Sequence, residues 1–86
     1  MRLTNEQIMH IQSCFTQVND FEARKLINPN YSEGLNDEIE KALITVAIAY
    51  RYGHGVKRDY DKAIKHLNDA INLGSGKAAK ELGNIF

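Results

Sequence analysis

The chain has 86 residues, which limits it to one modest domain, and its 43% hydrophobic and 26% charged residues with a single proline are typical of a globular protein. Eleven basic and eleven acidic side chains cancel, so no strong net field attracts the molecule to nucleic acid or to a membrane. Cys14 is the only cysteine, which excludes an internal disulfide. The first residues turn polar at once, unlike a signal peptide, and no run approaches the roughly 18–20 apolar residues of a membrane span. We therefore expect a cytoplasmic protein.

Residues 1–35 predict two helices. Thr4 and Gln7 have the spacing of a capping box, which places a helix start at Thr4. Apolar residues then recur at helical spacing, at Ile8, Ile11, Phe15 and Val18. Asn19 and Glu22 repeat the capping signature, so we predict a break there and a second short helix to about Ile27.

The third predicted helix is the central one. Residues 36–38 supply an N-terminal cap and two acids that favour the positive end of a helix dipole. The helix extends to about Tyr52, and its middle, 42–50, is apolar nearly all round, which indicates packing on several sides. Gly53 and Gly55 end it, because glycine tolerates left-handed backbone geometry.

Two more helices complete the prediction. Asp59 caps an amphipathic helix that ends at Gly74. Ser75 caps a last helix with apolar residues at Ala78, Ala79, Leu82, Ile85 and Phe86. The sequence has no βαβ alternation, so the expected fold is all-α with about five helices.

A four-residue pattern in the second half repeats at a fixed distance. Four residues recur 36 positions later with matching size and character: Ala42, Val46, Ala47 and Tyr50 return as Ala78, Leu82, Gly83 and Phe86. This period is typical of solenoids built from helix hairpins.

The residues within this period resemble the Sel-one-like repeat, a relative of the tetratricopeptide repeat. The resemblance rests on Ala42, Val46, Ala47, Tyr50, Gly53, Gly55, Val56, Asp59, Lys62, Ala63, Ala70 and Gly74. It implies an antiparallel helix pair joined by a Gly-x-Gly-Val loop, in a short α/α solenoid-type stack. It covers 36–86, one full repeat plus half of a second, and leaves 1–35 as an N-terminal helical cap.

Two positions depart from the family pattern. Ala47 stands where the family often has glycine. His66 stands where it often has a large aromatic residue, which predicts a shallower contact between helices. We also expect the last helix to be less covered around Ala79, Ile85 and Phe86, because solenoid repeats bury their cores by stacking. Such a patch is a candidate surface for a partner or a second copy.

Catalytic and cofactor sites are not predicted. Residues 74–77, Gly-Ser-Gly-Lys, lack the glycine and the hydroxyl residue of a phosphate loop, because Ile71 and Ala78 occupy those positions. His10 and Cys14 lie four apart on one helix face, but two ligands do not make a zinc site. A thiol nucleophile with His10 as its base would also need an orienting third group. We therefore expect no metal, no cofactor and no enzyme activity.

Residues 51–58 mix basic and aromatic side chains, as RNA-binding loops do. RNA binding through this loop is the alternative function. The resemblance explains Gly53, Gly55 and Val56 as structural, which favours a solvated loop between helices. The same loop can dock an acidic partner surface through its three fixed cations.

The leading hypothesis is a protein-interaction module that binds a dedicated protein partner, since Sel-one-like proteins act as adaptors. Residues 1–40 carry three basic and seven acidic groups, a net charge of −4, while 41–86 carry eight and four, a net charge of +4. This layout orients a charged partner. A narrower hypothesis is a small bacterial immunity protein, or an inhibitor, that neutralises a toxin or an enzyme. The expected contact residues are Tyr52, His54, Lys57, Arg58 and Tyr60, the acidic Glu33, Asp37 and Glu38, and Ile85 and Phe86.

Overall fold

The computed structural model describes residues 3–28 and 37–85. These residues form four α-helices and no strand: α1 (Asn5–Ile27), α2 (Asp37–Tyr52), α3 (Tyr60–Asn72) and α4 (Gly76–Ile85). Each helix packs against the next one along the chain. The all-α prediction is confirmed. No helix within the described ranges has both the length and the apolar character needed to cross a membrane.

The predicted fifth helix is wrong, because α1 continues unbroken through Asn19 to Ile27. Cys14, Val18 and Phe21 are spaced four and three apart and are all buried, so one apolar face runs past the expected break. An exposed asparagine inside a helix costs less than about 1 kcal/mol. Burying a phenylalanine side chain contributes about 1.5–3 kcal/mol. Packing therefore overrides the second capping signature.

The other helix starts that fall on described residues follow the predicted caps. The Thr4 hydroxyl accepts a hydrogen bond from the Gln7 backbone N–H at 3.1 Å, and the Thr4 N–H donates to the Gln7 side chain at 2.8 Å. The side chains of Asp59 and Ser75 each accept a bond at 3.1 Å from the N–H three residues later. The predicted cap at Asn36 lies outside the described residues.

The two short turns depend on glycine where the backbone is left-handed. Gly53 and Gly55, between α2 and α3, have φ values of +74° and +77°, and Gly74, after α3, has +95°. A side chain at these positions would strain the backbone. Each of these turns joins two helices that pack against each other, α2 with α3 and α3 with α4.

The core is centred on α2, as the apolar run in its middle predicted. Leu43 and Val46 have no exposed surface, and α2 packs against both α1 and α3. Alanines fill the closest approaches, since Ala63 and Ala70 of α3 are also fully buried. Each helix contributes to one cluster, formed by Cys14, Val18, Ala42, Leu43, Val46, Ala47, Leu67, Ala70 and Ala78.

The exposed face of α4 differs from the equivalent face of α2. Leu43 and Ala47 are buried, whereas Ala79 and Gly83, 36 residues later, are exposed. Ile85 is half-buried and packs against the core. Phe86, named with it as a candidate contact, lies outside the described residues.

Candidate functional site

An apolar groove separates the first half of α1 from the turn between α2 and α3. It encloses about 260 Å³. Ile8, Ile11 and Phe15 form one wall because their spacing places them on one face of α1. The opposite wall is the turn itself, and the complete lining among described residues is Leu3, Ile8, Ile11, Gln12, Phe15, His54, Gly55 and Val56.

The antiparallel packing of α1 and α2 forms this groove. The Phe15 ring meets the Tyr50 ring edge to face, with ring centres 5.4 Å apart. This contact joins the middle of α1 to the last turn of α2, where the turn begins. Ile8 remains 37% exposed at the mouth of the groove.

A cationic recess adjoins the groove and shares Val56 with it. It encloses about 370 Å³ and is lined by Tyr50, Val56, Lys57, Arg58, Asp59 and Lys62. The three cations are exposed. Asp59, the single acid in this lining, uses its carboxylate to cap α3. Among the described residues, no carboxylate lies within ion-pair distance of Lys57, Arg58 or Lys62.

Three aromatic side chains lie at or near this end of the molecule. Tyr52 is 56% exposed and stacks on His54, with ring centres 5.6 Å apart. Tyr60 is 51% exposed, and the Arg58 guanidinium lies 5.8 Å from its ring centre. Five of the residues expected to contact a partner therefore lie on or beside one loop: Tyr52, His54, Lys57, Arg58 and Tyr60.

Arg51, the third cation of the basic-aromatic run, is engaged elsewhere. Its guanidinium lies 3.6 Å from the Glu81 carboxylate and donates a hydrogen bond to the Asn84 carbonyl at 3.4 Å. Arg51 thus links the end of α2 to α4. Lys57 and Arg58 are the cations of the run that remain available to a ligand.

The acidic candidates are distant from these cations. Asp37 and Glu38 are exposed in the first turn of α2, whereas Tyr52 is its last residue. A 16-residue helix is about 24 Å long, so one compact site does not include both ends. Glu33 lies outside the described residues.

His10 and Cys14 approach each other as their spacing predicted, with Nε2 and Sγ 3.8 Å apart. Burial raises the pKa of the Cys14 thiol, which disfavours the nucleophilic thiolate. Within 3–28 and 37–85, no group of three potential ligands is placed to hold a metal ion. His54, which the sequence did not connect with His10, lines a recess together with it, because the turn packs over the start of α1.

Cys14 is expected to react with a disulfide reagent at least about tenfold more slowly in the native protein than in denaturant, because its side chain is buried and burial raises the pKa of its thiol. Absorbance of the released thiol measures both rates. A native rate equal to the denatured rate, and lowered by His10→Ala, would instead indicate an activated cysteine.

A polar cluster between α1 and α3 was not anticipated from the sequence. Lys65 Nζ lies 3.0 Å from Glu22 Oε1, and His66 Nε2 lies 3.5 Å from the same oxygen. The hydrogen bond with Glu22 raises the pKa of Lys65. His66 Nδ1 donates to the Lys62 carbonyl at 2.7 Å, and the ring packs beside Tyr50. His66 is only 8% exposed, so it fills the contact between the helices.

Comparison of the chain with family models, with curated proteins and with solved structures finds no match.

Proposed function

We propose that this chain is a protein-interaction module that binds a dedicated protein partner. The surface proposed for binding combines the apolar groove, the cationic recess, Tyr52 and Tyr60. The observation that supports it best is an apolar groove directly beside three cations that no described carboxylate neutralises. Interfaces commonly combine an apolar centre with a polar rim and are enriched in tyrosine and arginine.

The proposed architecture is a short solenoid-type stack with a Sel-one-like repeat over 36–86. The left-handed Gly53 and Gly55, followed by the capping Asp59, support the assignment of the loop. The half-buried Tyr50, packed between Phe15 and His66, supports the aromatic position of the repeat. An adaptor role follows from this assignment.

The narrower proposal is neutralisation of a toxin or an enzyme by a small bacterial, cytoplasmic protein. The separation of charge supports it, since the 41–86 half carries a net charge of +4 and the cationic recess lies within that half. Complementary potentials accelerate association with one chosen partner. The described side chains also favour binding over catalysis, because the candidate nucleophile Cys14 is buried.

RNA binding through 51–58 is the second candidate. The exposed Lys57 and Arg58, close to Tyr52 and Tyr60, favour it. RNA affinity should fall steeply with salt, because binding releases condensed counterions.

In nuclease-treated lysate of the native host, crosslinking and mass spectrometry are expected to identify one stoichiometric protein bound to the tagged chain. The double variant Lys57→Glu and Arg58→Glu should reduce its capture about tenfold, since each reversal removes a favourable charge contact. Lys77→Glu with Lys80→Glu is the matched control, because both lysines are exposed on α4 and the change in net charge is identical.

Three results would contradict the proposal as stated. Capture that occurs in untreated lysate and is lost after nuclease treatment would favour RNA. Equal capture by both double variants would place binding on another surface. Absence of any crosslinked protein would remove the interaction role.

A further inference from the structure

We infer that the partner presents an acidic segment with one apolar anchor side chain, the anchor entering the groove and the acids contacting the cationic recess. This inference rests on the proposed function and specifies the partner's chemistry. It follows from three properties of the surface: the size of the groove, its position beside the recess, and the charges at its two ends.

The size of the groove fits a side chain. Its volume of about 260 Å³ is below the roughly 300–1,000 Å³ of pockets that enclose drug-sized ligands or cofactors. Its walls are mainly aliphatic and aromatic, from Ile8, Ile11, Phe15 and Val56. An apolar anchor of a protein segment gains from leaving water here, at about 25 cal/mol per Å² of buried apolar surface.

The position of the recess determines where the acids lie. Val56 lines both cavities, so a carboxylate a few residues from the anchor reaches Lys57, Arg58 or Lys62. With Asp59 counted, the recess lining carries a net charge of +2. A basic segment would instead bring like charges together.

The other end of the groove has a different character. There the groove continues into a different cavity, which Glu6 and His10 line. The groove and this cavity share Leu3, Ile11 and His54. The Glu6 carboxylate repels acids at that end. We therefore expect the partner's acidic residues on one side of its anchor.

The cationic recess itself is a poor stacking site for a nucleic-acid base, although Tyr52 and Tyr60 beside it are 56% and 51% exposed. Binding of single-stranded nucleic acid depends on bases stacking on aromatic rings. Tyr50 lines the recess, but Phe15 meets its ring, His66 packs beside it and Lys62 Nζ lies 5.4 Å from its centre. The ring is therefore already engaged by the protein's own side chains.

The test selects random twelve-residue peptides displayed on phage against the full chain. Enriched peptides should contain a large apolar residue with Asp or Glu on one side of it. One enriched peptide, synthesised with a fluorescent label, is then titrated by anisotropy. Its Kd should rise about tenfold with Lys57→Glu and Arg58→Glu together, and stay within about twofold with Lys77→Glu and Lys80→Glu together.

A second matched pair tests the groove. Ile8→Lys places a charge at the mouth of the groove, whereas Met9→Lys places it on the neighbouring residue, which is 67% exposed and outside the groove lining. We expect Ile8→Lys to raise the peptide's Kd about tenfold and Met9→Lys to leave it within about twofold. Circular dichroism of both variants verifies that the helices are retained.

The outcomes separate this inference from the proposed function. Enriched peptides without the acidic-apolar pattern, or a Kd unchanged by Ile8→Lys, overturn the inference and leave protein binding intact. If no peptide is enriched while lysate crosslinking captures a partner, the inference is also overturned and protein binding is left intact. A labelled oligouridylate that binds tightly, and loses affinity with Lys57→Glu and Arg58→Glu but not with Ile8→Lys, overturns both in favour of RNA.

Discussion

Replacing Leu43 by alanine is expected to lower the free energy of unfolding by about 2–5 kcal/mol. Leu43 has no exposed surface and lies in the helix that contacts both α1 and α3. Truncation removes buried methyl groups and leaves a cavity that the surrounding helices close only in part. A chain of 86 residues has a total stability of about 4–13 kcal/mol, so this one change removes a large part of it.

Urea unfolding followed by circular dichroism measures this effect. Leu26→Ala is the matched control, since the same atoms are removed from a side chain that is 85% exposed, and we expect a change within about 0.5 kcal/mol. Equal losses in the two variants would show that α2 is not the centre of the core. A lower denaturant slope in Leu43→Ala alone would instead indicate loss of two-state unfolding.

Local signals in the sequence predicted the helix caps at Thr4, Asp59 and Ser75 and the turns at Gly53 and Gly74. The Thr4–Gln7 box and Asp59 act through contacts three residues apart, and Gly53 and Gly55 through their own backbone angles. The expected break at Asn19 is wrong because the same kind of signal competes there with burial of Phe21. The pattern of residues in α1 does not show how much of its apolar face is buried against other helices.

The candidate site was only partly predictable for the same reason. The exposure of Lys57 and Arg58 follows from their place in the loop between α2 and α3, and that of Tyr52 from its place at the end of α2. The apolar groove does not, because its walls lie some 40 residues apart in sequence and meet only when α1 packs antiparallel to α2. The pairing of Arg51 with Glu81 and of Lys65 with Glu22 also depends on how the helices stack.

Enlarging Ala70 to leucine is expected to destabilise the fold by about 1–3 kcal/mol. Ala70 is fully buried in the cluster to which all four helices contribute. Small side chains at such positions let helices approach closely, so added methylene groups force neighbouring side chains or helices apart. Helix propensity does not account for the effect, because alanine and leucine are both strong helix formers.

Ala79→Leu is the matched control, because it makes the same substitution at a position where the side chain is not packed against other helices. Ala79 is exposed on α4, so the same substitution should change the free energy of unfolding by less than about 0.5 kcal/mol. Thermal and urea unfolding of the two variants, measured side by side, give the comparison. A neutral Ala70→Leu would show that the α3 interface adapts to a larger residue. If Ala79→Leu instead lowers the free energy of unfolding, and the decrease depends on protein concentration, a second copy covers this face of α4 in solution.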